Sequence, residues 1–145
     1  MRCDVLKVLL VEDNKLTRMA NERLLAKTGY RVVSAKDGEE ALQIARQERP
    51  DVVLLDMMLP KLSGPEVLRA LKAGPETATI PVVVLTGLSQ KNEDRLLEDG
   101  AAAFVEKSAA LDNSELLLGA IRRALRTTAL ALATTTAAAS APLHF

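Results

Sequence analysis

Val-Val-Leu-Leu-Asp-Met-Met-Leu-Pro, residues 52–60, is the stretch that decides how this sequence folds. Four apolar residues stand together without polar alternation, and a carboxylate follows them at once. A strand with no wet face must be covered on both sides, as central strands of parallel sheets are. Val82 to Leu85 is a second run of the same kind, ending in Thr86-Gly87. Outward from these two, shorter apolar runs of strand length occupy Val5 to Val11, Arg31 to Ala35 and Ala103 to Val105.

The segments between the runs carry helix punctuation. Asn14 is placed to cap a helix from Lys15 to Thr28 that stops at Gly29, and Asp37 with Glu40 resembles a capping box opening a helix that ends before Pro50. Pro65 stands where a first helical residue would, and Gly74 closes that helix. A fourth helix is expected over about 90–99, stopping at Gly100, and a last one from Asn113 or Ser114 to at least Leu125. Five strands alternating with five helices specify an α/β fold, a parallel sheet with right-handed crossovers and helices on both faces.

Composition narrows the function. With 48% apolar and 26% charged residues, the chain belongs with soluble globular proteins. The 19 basic and 19 acidic residues cancel, and three aromatics are too few for base stacking, so direct binding to nucleic acid is not expected. The single cysteine, Cys3, excludes an internal disulfide. The apolar run near the start is broken by Lys7 and flanked by Glu12-Asp13, unlike a signal peptide or membrane span, so a reducing cytoplasm is the expected location. Every charged residue lies within 1–126. The expected division is therefore a domain at 1–126 and an Ala/Thr-rich tail at 127–145. The tail is either disordered or an extension of the last helix through Ala124, Leu125, Thr128 and Leu132, which could join two protomers in a homodimer. His144, alone in that tail, is a poor candidate for chemistry.

Ligands of such sheets bind at the carboxyl ends of the strands. The first strand ends in Glu12-Asp13, the third in Asp56, the fourth in Thr86-Gly87 and the fifth in Glu106-Lys107. Three carboxylates on one rim repel, and a hard divalent cation removes that conflict; Mg²⁺ suits a few oxygen ligands with waters left in place. Lys107 beside it makes an anionic group such as a phosphoryl attractive.

Val-Glu-Asp-Asn at 11–14, Asp56 to Pro60 with Gly64, Thr86-Gly87 and Phe104 to Lys107 together resemble the CheY-like receiver domains of two-component response regulators, over about residues 5–126. The resemblance implies the flavodoxin-like strand order 2-1-3-4-5. It implies Asp56 as phosphoacceptor, Glu12 and Asp13 as the acidic pair holding Mg²⁺ with Asp56, and the Met58 backbone carbonyl as a further ligand. Thr86 resembles the hydroxyl that bonds the phosphoryl oxygen and Lys107 the cation that pairs with it. Gly87 would let its backbone approach the phosphoryl group, and Phe104 would move with Thr86 as the switch. The implied function is a signalling switch, regulatory rather than enzymatic, that takes a phosphoryl group from a histidine kinase or phosphotransfer protein and alters binding to a downstream protein.

Ser108 replaces the proline common after the active-site lysine, and a trans Lys107–Ser108 bond is expected. Met58 and Leu88 flank the phosphoryl site and are apolar, so slow hydrolysis is expected. Lys15, Arg18 and Ser108, on the first helix and after the fifth strand, are candidate contacts for partner recognition. The competing readings are a phosphatase that forms an aspartyl phosphate, disfavoured by Met58 two residues after Asp56, and a flavin or nucleotide binder, disfavoured by the missing glycine-rich loop. A receiver cut from a hybrid kinase or longer regulator also fits.

Overall fold

The five apolar runs pair as one parallel sheet. In the computed structural model, which describes residues 5–57, 59, 61–86 and 100–140, the strands are β1 (Lys7–Val11), β2 (Arg31–Ala35), β3 (Val52–Asp56), β4 (Val82–Thr86) and β5 (Ala103–Glu106). Their order is β2-β1-β3-β4-β5, as the resemblance implied. The helices described are α1 (Lys15–Thr28), α2 (Gly38–Glu48), α3 (Gly64–Ala73), α4 (Lys107–Asp112) and α5 (Ser114–Ser140). The helix expected over 90–99 lies outside the described residues, as do Cys3, Met58, Pro60, Gly87, Leu88 and His144.

Alternation along the strands feeds two cores. Leu9, Val11, Val53, Leu55, Val82 and Val84 face Ala41 and Ala45 of α2 and Val67, Leu68 and Leu71 of α3. Val8, Leu10, Val52, Leu54, Val83 and Leu85 face Leu25 of α1 and Leu117, Leu118, Ile121 and Ala124 of α5. Every residue of β3 is buried, so the unbroken apolar run was a true sign of a doubly covered strand. Each such valine or leucine contributes about 1.5–3 kcal/mol by leaving water.

Local signals set the helix ends. The Asn14 side chain accepts the Thr17 N–H at 3.0 Å, and Gly29 closes α1 with φ 111°, a left-handed conformation natural to glycine. Asp37 accepts the Glu40 N–H at 2.8 Å, while the Glu40 carboxylate reaches back to the Lys36 N–H rather than to the cap residue's own. The reciprocal capping box is at Ser63 and Glu66 instead, with Pro65 in the first turn of α3.

Two differences from the sequence expectation have simple causes. Strand pairing starts at Lys7 opposite Arg31, so Val5 and Leu6 precede the sheet and stay exposed. The short α4 directly after β5 was not foreseen. No cis peptide bond occurs among the described residues, which include Lys107 and Ser108. Among the described residues no helix is long and apolar enough to cross a membrane.

Candidate functional site

Parallel register carries the strand ends to a common rim. Val11 pairs with Leu55, Asp56 with Leu85, and Thr86 with Glu106. The residues that close or follow the four central and edge strands therefore meet, although they are far apart in sequence. One ligand oxygen each from Glu12, Asp13 and Asp56 lies within 4.8 Å of the others. Glu12 and Asp56 are buried, whereas Asp13 is exposed.

Lys107 opens α4 next to β5 and projects into this group. Its ammonium stands 2.9 Å from Asp56 Oδ2 and 2.9 Å from Glu12 Oε1. The contact to Asp56 is a hydrogen bond in which Nζ donates. Glu12 Oε1 is fully buried, and the ammonium faces it at ion-pair distance without a hydrogen bond of good geometry. Glu12 Oε2 accepts the Asn14 N–H at 3.2 Å.

Burial pushes the Glu12 carboxyl above its usual range, and Asp56 adds to the push, while Lys107 works against it. For Lys107, burial disfavours the charge, but Glu12 and Asp56 outweigh it and hold the ammonium protonated above its ordinary value. Among the described residues, one ammonium against three carboxylates leaves excess negative charge, and one buried oxygen lacks a hydrogen bond of good geometry. An all-oxygen set of this kind fits a small hard dication such as Mg²⁺, and poorly fits softer metals that favour nitrogen or sulfur.

Residues 8–122 match the response regulator receiver domain family. The chain belongs to that family. The polar-differentiation response regulator DivK of Brucella anthropi is 39% identical to it over 101 residues, spanning 69% of this chain and 82% of DivK. The chemotaxis protein CheY4 of Vibrio cholerae has a similar structure, with TM-score 0.76 and 30% identity, covering 83% of this chain and 99% of that one. A receiver domain of a sensor histidine kinase from Pseudomonas aeruginosa, solved with magnesium coordinated in its active site cleft, superposes with TM-score 0.66 and 31% identity, covering 72% of this chain and 86% of that chain. Receiver domains are regulatory phosphoacceptors in two-component signalling, and this receiver domain carries the acidic cluster in its described residues.

The remaining candidates among the described residues lie on β4, β5, α1 and α4 of the receiver domain. Thr86 ends β4 half-buried. Phe104 lies opposite Val84 and packs, partly buried, on the core shared by α2 and α3. Ser108 is in α4 beside Lys107, and Lys15 is exposed at the start of α1. Arg18 is half-buried and turned back on the chain: its Nη1 donates to the Glu12 carbonyl at 2.8 Å and to the Asp13 carbonyl at 3.4 Å. Sequence reading placed Arg18 on a partner-facing helix. A side-chain return of five and six residues from α1 to the preceding turn was the only available signal, and it is not tied to a residue type.

Proposed function

We propose that this receiver domain accepts a phosphoryl group on Asp56 from a histidine kinase or histidine phosphotransfer protein, and that the change alters its binding to a downstream protein. The observation that carries this reading is the meeting of Asp56 with Glu12, Asp13 and Lys107 on one rim. Glu12, Asp13 and Asp56 would hold Mg²⁺, with the Met58 carbonyl as a further ligand. Bound there, the cation would neutralise charge on the transferring phosphoryl oxygens.

The chain's own residues do the rest by position. A carboxylate oxygen of Asp56 bonds to phosphorus as the bond from phosphorus to the donor's imidazole nitrogen breaks, and that electron pair stays on the imidazole. β3, buried along its length, fixes the nucleophile against drift. Lys107 exchanges its contact with Asp56 Oδ2 for one with a phosphoryl oxygen, a short move for a flexible ammonium. Thr86 supplies a hydroxyl on the same rim, Gly87 a backbone without a side chain in the way, and Phe104 follows Thr86 as the packing between β4 and β5 adjusts.

We take residues 1–126 as the signalling unit, supported by the family match to residue 122 and by the burial of α5 as far as Ala124 among the side chains described. Intact mass after incubation with acetyl phosphate and Mg²⁺ tests the reading. One added phosphate on the wild type and none on Asp56→Asn is the expected result. Equal labelling of both proteins refutes Asp56 as acceptor, and rapid turnover of assorted phosphoesters would assign a phosphatase instead.

A further inference from the structure

We infer that Arg18 is a positioning residue for the cation site, clamping the turn that presents Glu12 and Asp13; this rests on the reading of that site as a Mg²⁺ site. The turn from β1 into α1 has to aim two consecutive side chains at one point, one of them buried and one exposed. Its side-chain and backbone groups are tied by neighbours: the Glu12 N–H donates to Ala35 O at 3.0 Å, and the Asn14 N–H to Glu12 Oε2 at 3.2 Å. The two backbone carbonyls between these bonds, of Glu12 and Asp13, are bound by a single nitrogen of Arg18 at 2.8 and 3.4 Å.

The choice of acceptor is informative. A guanidinium on the helix that follows two acidic residues often pairs with a carboxylate, frequently in a bidentate fork. Arg18 pairs with none among the described residues and bonds only the carbonyl oxygens behind them. The carboxylates are thereby left to the cation while their backbone is fixed. The α1 backbone anchors the clamp in turn, because the Arg18 N–H donates to the Asn14 carbonyl at 2.9 Å. Groups that orient ligands from behind typically change metal affinity by 10- to 100-fold when removed.

A positive charge near a dication also repels it, so clamp and charge predict opposite signs. The experiment is a Mg²⁺ titration followed by calorimetry and by ¹H–¹⁵N chemical shifts, on wild type, Arg18→Met, Arg18→Lys and Asp13→Asn, with thermal unfolding in chelator beside it. The expected result is about tenfold weaker Mg²⁺ binding by Arg18→Met, partial recovery in Arg18→Lys, and the same ratio at high salt, where long-range repulsion is screened. Unchanged or tighter binding by a folded Arg18→Met overturns the inference. So does a variant that loses thermal stability in chelator yet keeps wild-type Mg²⁺ affinity, since that would make Arg18 structural only. Failure of the underlying reading looks different: the wild type itself would bind no Mg²⁺, or Asp13→Asn would bind as well as wild type.

Discussion

Replacing Lys107 with methionine removes the ammonium that, among the described residues, faces both buried carboxylates, and the structure sets the size of the effect. Nζ lies 2.9 Å from Glu12 Oε1 and from Asp56 Oδ2, and the lysine side chain is 28% exposed. Deleting one partner of a buried ion pair commonly costs about 3–5 kcal/mol, because the other charge is left uncompensated. Here the folded protein has an escape, since Glu12 is already pushed toward its protonated form by burial. Protonating a carboxyl with an ordinary pKa of 4.5 costs about 3.4 kcal/mol at pH 7 and about 0.7 kcal/mol at pH 5. That route caps the loss. Lys107→Met should therefore be destabilised by up to about 3 kcal/mol at pH 7, on the order of 10 °C in Tm for a domain of this size, and by under about 1 kcal/mol at pH 5. The sign follows from linkage: with the Glu12 pKa raised in the folded variant, the folded state binds more protons than the unfolded one, so stability falls as pH rises above the ordinary carboxylate value. Mg²⁺ should stabilise the variant more than the wild type, because the carboxylates no longer share their charge with an ammonium. Urea unfolding across pH 5 to 7, in chelator and in Mg²⁺, measures all of this. A variant with the wild-type midpoint at pH 7 in chelator, and the wild-type pH slope, would refute the compensating role of Lys107.

Three further outcomes test other parts of the structure. A Cβ on Gly64 would sit 2.5 Å from the Met57 Cα and 2.8 Å from its carbonyl oxygen, so Gly64→Ala should lose about 1–3 kcal/mol by overpacking the loop that follows Asp56; urea unfolding with no loss would show that the loop yields freely. Asp37→Ala should cost about 1 kcal/mol at neutral pH through loss of the α2 cap. The Glu40 N–H and then Lys61 hold the Asp37 carboxyl below its ordinary 3.8, so its contribution is complete above that value and fades as acid titrates the folded group, and the two unfolding curves should converge in acid. Met58→Asn should shorten the lifetime of phosphorylated protein by giving an attacking water a polar partner, as followed by intact mass over time.

Most of the fold was legible because its signals are local or strictly periodic. β3 and β4 announce themselves by four apolar residues without alternation, and Asn14, Gly29 and Asp37 are residue types whose capping chemistry is specific, although the Ser63–Glu66 capping box was missed. The rim was legible for a topological reason: parallel strands in register deliver their carboxyl ends to the same edge, so the residue after each apolar run is a site candidate. What escaped has equally physical causes. α4 has six residues, too few to show a period, and its N-cap Glu106 makes no side-chain cap bond. The start of β1 was placed too early because Val5 and Leu6 are apolar, yet strand pairing requires a neighbour and β2 supplies none before Arg31. Arg18 escaped because its partners are backbone carbonyls, which every residue has.

The sheet divides the proposed switch into a stiff half and a soft half. Asp56 and the acidic turn hang on β3 and β1, central strands whose residues are buried almost throughout. Thr86, Phe104 and Lys107 belong to the other side, where β4 ends half-buried and β5 is a four-residue edge strand with Val105 as its one buried member. An edge strand has a sheet neighbour on one side only, so shifting it breaks fewer contacts than shifting β3 would. Charge added at Asp56 therefore meets an acceptor that holds still and responders that can follow. Because Phe104 and Lys107 are three residues apart on the same segment, a pull on the lysine reaches the aromatic along a single short piece of backbone.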